Sequence, residues 1–342
     1  MEEVVVSKPW MISLREEQKN CVNYPFGCSL DIAREKNLVC VTSGNSYLGS
    51  HIVRALLARG YLVRVTIQNQ AEDYEDIKKL MRDEEINRLE SVVVVKMGSL
   101  ERLCDAFRGC HAIFHTSSFI DPHGISGYSE QMAFLETEGA KNVIEACGRA
   151  AYAKRCIFTS SLLASIWAGD TENKIIDEFT WSNEEFCREN KLWLALGKTT
   201  AEMACWRKSK EMKVNMVAIC PGLLLMDSYA HKNNSIPYLK DGKEMLKNGH
   251  LAIEDVKKAA EAHVYVYEAM DNGACGRYLC FGKVVTKRSE AIDIENRLKV
   301  HGLLSGVSHE ALDEEADEEI NSMLSNAKLT SLIRASQRLL CN

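Results

Sequence analysis

From Leu38 onward the chain alternates between two kinds of segment. Short runs of apolar and β-branched residues are separated by longer stretches with apolar positions three and four apart. Leu38-Val39-Cys40-Val41-Thr42 is the first run, continuous as a strand buried on both faces should be. Residues 47–59 have helical spacing, with Leu48, Ile52, Ala55 and Leu56 on one face and Gly60 at the stop. Residues 61–67 read as a second strand, 73–89 as a charged helix, 92–95 as a strand, 101–108 as a helix and 111–115 as a strand. A helix over 131–149, a strand over 155–160, a helix over 191–211 and a strand over 214–219 continue the series. Beyond Pro221 the pattern loosens into a helix over 254–270, a strand over 277–281 and an acidic helical ending.

Alternating elements of these lengths predict an α/β protein: a Rossmann-type, doubly wound parallel sheet with helices on both faces. Residues 1–36 show no period and read as an N-terminal extension. Residues 37–220 form the core, and 221–342 a smaller C-terminal region that holds mainly the substrate side and terminal helices. Within it, 250–282 is expected to return to the core.

The 342 residues carry a formal charge of −6, which argues against a nucleic-acid partner, and no basic run suggests a membrane surface. No apolar run approaches a membrane span. The acidic Met1-Glu2-Glu3 start is unlike a secretory leader, so a cytoplasmic protein is expected, as a monomer or homodimer. Thirteen cysteines are scattered with no Cys-x-x-Cys pair, which predicts reduced thiols and no metal site.

In such a fold ligands bind at the C-terminal ends of the strands. The first turn, Thr42-Ser43-Gly44-Asn45-Ser46-Tyr47-Leu48-Gly49-Ser50, runs from a strand into a helix, where backbone N–H groups favour an anion. A dinucleotide loop has three glycine slots; Gly49 fills one, and Ser43 and Ser46 stand in the others. An ordinary β–α turn capped by Ser46 accounts for it nearly as well. At the end of strand two, an acid would take a ribose diol and an arginine a 2′-phosphate. Ile67-Gln68-Asn69-Gln70 offers neither, so Gln68 is a ribose contact or simply part of a polar loop.

Later segments are more specific. Phe158-Thr159-Ser160-Ser161 ends a strand; the stretch over 177–187 includes Trp181 and a Ser182…Glu185 pair that suggests a capping box. Trp193, Gly197-Lys198, Ala201-Glu202 and Pro221-Gly222 follow in order. Together these resemble the plant cinnamoyl-CoA reductase and dihydroflavonol reductase branch of the extended short-chain dehydrogenases, especially its divergent cinnamoyl-CoA reductase-like members. The resemblance covers about residues 37–325 and is strongest over 155–225.

It implies a Rossmann core that binds NADP(H), with NAD(H) as the other form, and reduction of a phenylpropanoid-type carbonyl or CoA thioester. Ser43, Ser46, Tyr47, Leu48, Gly49, Gln68, Ser118, Lys198 and Pro221 fall at cofactor positions. Of the family's catalytic serine, tyrosine and lysine, the serine falls on Ser161 and the lysine on Lys198, but the tyrosine falls on Leu194. Positions four apart share a helical face, so Leu194 stands beside Lys198 with no proton to give. An enzyme with impaired chemistry and an inactive binding or regulatory protein both follow from this. Two plainer roles remain open: Ser161 as a helix cap, and Lys198 as a partner of Glu202 one turn on. Tyr47, Tyr128, His115 and His123, at the tops of other strands, are the side chains that could replace the missing acid.

Overall fold

A computed structural model describes residues 37–116, 128–168, 175–225, 242–300 and 320–340. The N-terminal extension over 1–36, Ser118 and His123 lie outside them.

The strands are β1 (Leu38–Thr42), β2 (Leu62–Ile67), β3 (Ser91–Val94), β4 (Ala112–His115), β5 (Arg155–Thr159), β6 (Asn215–Pro221), β7 (Leu223–Leu225), β8 (Ala252–Asp255), β9 (Gly276–Cys280) and β10 (Lys283–Val284). Seven make one parallel sheet in the order β3-β2-β1-β4-β5-β6-β9. β10, β8 and β7 form a second, three-stranded sheet. The helices are α1 (Tyr47–Ala58), α2 (Gln70–Leu80), α3 (Asp83–Ile86), α4 (Leu100–Phe107), α5 (Glu130–Arg149), α6 (Leu163–Ile166), α7 (Glu184–Glu189), α8 (Trp193–Met212), α9 (Gly242–Lys247), α10 (Val256–Ala269), α11 (Arg288–Val300) and α12 (Ala327–Leu340).

The continuous apolar strands follow from burial on both sides. On one face Val39, Val41 and Phe114 pack with Ile52 and Leu56 of α1, Val264 of α10 and Leu329 of α12. On the other, Cys40, Ile113 and Cys156 pack with Phe107 of α4, Val143 of α5 and Cys205 of α8. A third cluster, including Leu162, Leu196, Leu223 and Leu279, lies under the small sheet. Among the described residues no helix is long and apolar enough to cross a membrane.

Three local expectations are corrected. The charged helix over 73–89 is two helices, broken at Met81, whose backbone is extended (φ −122°, ψ 149°) and whose side chain is buried. The helix over 191–211 starts at Trp193, because Lys191 takes φ +55° at the junction with α7. The Ser182…Glu185 capping box does not form: Asn183 caps α7, accepting from the N–H groups of Glu185 and Phe186. Ser182 turns inward instead, donating to Leu163 O and accepting from Trp167 N–H.

Nine described cysteines are free thiols, eight of them buried. Cys275, half-buried just ahead of β9, is disulfide-bonded, so reduced thiols throughout is corrected at that position.

Candidate active site

The first turn keeps the shape of a glycine-rich loop with fewer glycines. Ser43 has φ +49°, the left-handed region that glycine serves most easily. Its carbonyl accepts from Ser46 N–H at 2.8 Å, closing the turn. Ser46 caps α1, its Oγ accepting from Gly49 N–H at 3.0 Å. A Cβ on Gly49 would lie 2.4 Å from Ser43 O and 2.7 Å from Ser46 Oγ, so a larger residue would push helix and loop apart. Tyr47 and Leu48 are both buried as α1 begins. Capping and cradle thus coexist: Ser46 satisfies one helix donor while the glycine slot holds the loop tight.

The loop touches the end of β2. Gly44 N–H donates to Thr66 O at 3.2 Å. Just beyond, the N–H groups of Gln68 and Asn69 both donate to Asp73 Oδ2, each at 2.7 Å. A carboxylate that residues 67–70 lack thus reaches the end of β2 from the first turn of α2. The missed signal was helical: an aspartate in a first turn can fold back over the strand end that precedes it. The fully buried Thr66 hydroxyl has no hydrogen-bond partner here.

Ser161 and Pro221 stand at the ends of β5 and β6, and Leu194 and Lys198 lie one turn apart on α8. Leu162 N–H donates to Pro221 O at 2.8 Å, joining the two strand ends. Ser161 is buried, and its Oγ accepts from Leu163 N–H at 3.2 Å as α6 begins. Leu194, half-buried, packs on the cluster that holds Leu162 and Leu163.

Lys198 does not pair with Glu202. Its Nζ lies 2.6 Å from Glu136 Oε1 of α5, with the two side chains 12% and 5% exposed. The Tyr128 hydroxyl donates to the other oxygen of Glu136. The same hydroxyl stands 2.9 Å from where a Cβ on Gly197 would lie, so Gly197 makes room for it against α8. Burial, and then the Glu136 carboxylate, push the Tyr128 phenol upward, which keeps it protonated. On β4, His115 is held down to about 3 by burial and by the Lys198 charge, and its Nδ1 shares a 3.0 Å hydrogen bond with Thr42 Oγ1. His115 is thus a neutral imidazole at the base of the site.

Glu202 serves another network. It is fully buried and paired with Arg277 Nε at 2.8 Å. It also accepts from Ser160 Oγ at 2.6 Å and Trp206 Nε1 at 3.1 Å. Arg277 reaches on to the carbonyls of Glu178 and Thr180 and to Ser165 Oγ, and its guanidinium lies 3.8 Å from the Trp181 ring centroid. These contacts hold the 177–182 stretch and the start of α6 against α8, next to Ser161.

A seven-stranded parallel sheet with a tight first turn, and a lysine and serine at its C-terminal edge, define a Rossmann-type reductase scaffold. The chain belongs to the 3-beta hydroxysteroid dehydrogenase/isomerase family, which it matches over residues 40–222. It is 31% identical over 270 residues to cinnamoyl-CoA reductase CAD2 of Medicago truncatula, spanning 77% of this chain and 81% of that protein. Vestitone reductase from alfalfa (Medicago sativa L.) has a similar structure, with a TM-score of 0.61 at 25% identity over 87% of this chain and 92% of that one. Yeast methylglyoxal/isovaleraldehyde reductase Gre2, solved with NADPH, shares the fold with a TM-score of 0.65 at 19% identity, over 87% of this chain and 93% of that one.

Proposed function

We propose that the chain is a nicotinamide-dinucleotide-linked reductase of the cinnamoyl-CoA reductase type. Its substrate is a phenylpropanoid-type carbonyl or CoA thioester, and its proton transfer is altered at Leu194. The observation that carries this reading is Lys198, fixed by Glu136 at the strand ends of a sheet whose first turn still requires glycine at Gly49. That first turn suits a pyrophosphate, because the left-handed Ser43 and the tight packing at Gly49 bring the loop directly onto the N-terminus of α1. The dinucleotide supplies a hydride when bound. Lys198 holds ribose hydroxyls, and Ser161 hydrogen-bonds the substrate oxygen. NADP(H) is the form the resemblance implies; which form this chain prefers turns on the end of β2.

Leu194 has no proton to give, and Tyr128 is committed to Glu136. Loss of a positioned acid costs about 10²–10⁴ in rate. Calorimetric titration with each dinucleotide, followed by turnover of hydroxycinnamoyl-CoA thioesters and the matching aldehydes, tests the reading. Absence of both binding and turnover would sink it.

A second reading, a catalytically inactive binding or regulatory protein, draws support from two contacts. Leu194 packs into an apolar cluster, and Glu136 neutralises the lysine. Robust turnover that Lys198→Ala abolishes would exclude it.

A further inference from the structure

The carboxylate of Asp73 sits at the corner of the fold that decides between the two dinucleotides. In a dinucleotide fold the end of β2 receives the adenosine ribose: an acid there takes the 2′-hydroxyl, and an arginine takes a 2′-phosphate. Here the two backbone N–H groups at that end, on Gln68 and Asn69, already bond an anion of the chain's own, Asp73 Oδ2 at 2.7 Å from each. Consecutive backbone N–H groups are donors a phosphate would otherwise use. The other carboxylate oxygen, Oδ1, has no partner among the described residues. The corner adjoins the pyrophosphate turn, since Gly44 N–H bonds Thr66 O, and a Cβ on Gly44 would meet Val65 Cγ1 at 2.5 Å. The buried Thr66 hydroxyl beside it is unpartnered.

The surrounding cations do little to offset Asp73. Lys78 and Lys79 of α2 pair with Glu75 and Asp76, and Arg54 pairs with Glu85. Beyond the neighbouring strand β3 the first basic residue is Lys96, exposed and just past Val95, whose N–H bonds Ile67 O.

We infer that Asp73 makes the site selective for NAD(H), with its free 2′-hydroxyl, over NADP(H). The inference rests on the dinucleotide-linked reading above. A ribose diol can donate to Oδ1. A 2′-phosphate would bring a charge of about −1.5 to −2 against the carboxylate and find its two backbone donors occupied.

The test is calorimetric titration of the full chain with NADH and NADPH separately, in the wild type, Asp73→Asn and Lys96→Ala. NADH is expected to bind the wild type on the order of tenfold tighter than NADPH. Asp73→Asn keeps an acceptor for the two N–H groups and removes the charge, so it should narrow that ratio about tenfold, mainly through tighter NADPH. Each ratio is internal to one protein sample, so partial loss of folded protein leaves it unchanged. Tighter NADPH in the wild type overturns the inference, and if Lys96→Ala removes that advantage, Lys96 holds the phosphate. A ratio unmoved by Asp73→Asn also overturns it. Failure of both dinucleotides to bind the folded wild type would remove the reductase reading and this inference together.

Discussion

Lys198 is the residue on which the proposed chemistry turns, and its environment differs from what sequence spacing suggests. The i+4 candidate, Glu202, is buried against Arg277, while a carboxylate 62 positions earlier, Glu136, takes the lysine. Helical spacing shows which residues share a face, and the contact between α5 and α8 lies beyond its reach. Motif order proposes Ser161, Leu194 and Lys198 as site residues; it could not reach the Glu136 and Asp73 contacts, because each spans a gap between elements. Leu194→Tyr is expected to raise turnover by about 10²-fold or more if the missing acid is the main defect. Steady-state assays with saturating dinucleotide would show it, and unchanged turnover despite measured binding would place the defect elsewhere. Glu136→Gln should remove the carboxylate that Lys198 Nζ meets at 2.6 Å. About 3–5 kcal/mol of stability should be lost, read as a lower urea midpoint at constant slope.

At the scale of elements, two glycines set how closely helices approach their neighbours. Gly197→Ala would place a Cβ 2.9 Å from the Tyr128 hydroxyl and 3.0 Å from Ala133 Cα, forcing α8 away from α5. A loss of about 1–3 kcal/mol is expected, with a lower melting temperature. Gly49→Ala meets backbone, Ser43 O at 2.4 Å, so the first turn itself must shift. Calorimetry should then show dinucleotide binding lost in protein whose circular dichroism remains native-like. Element order and type were readable because strands buried on both faces are continuously apolar. The break at Met81 was not, since Ile77, Leu80 and Met81 keep helical spacing through it. The Arg277–Glu202 clamp was also hidden, because it joins β9 to α8 across 75 positions of sequence.

For the whole molecule, pH acts through histidines buried in the neutral form. Burial lowers His115 to about 3 and His263 to about 4, with His263 held between Thr159 Oγ1 and Ala259 O. An unfolded histidine titrates near 6.5, so below that pH the unfolded chain binds more protons than the folded one. Stability from these groups is complete above about pH 6.5 and is lost as pH falls toward about 4, by roughly 1 kcal/mol per pH unit for each histidine. Urea titrations between pH 7 and 4.5 should show this decline, and a flat profile would contradict the buried neutral state. The crowded thiols carry a further consequence. Eight of the nine free cysteines described are enclosed in the core, and burial raises several of them, Cys187 and Cys220 to about 12. An alkylating reagent needs a thiolate and a path to it, so these side chains can react only while the interior is open. Among the described thiols half-buried Cys104 should be modified first, and the core thiols together at a rate proportional to the fraction of time the chain is open. The interior thus carries its own clock, and mass spectrometry of alkylated protein would read how often the fold breathes from its native thiols, with no engineered label.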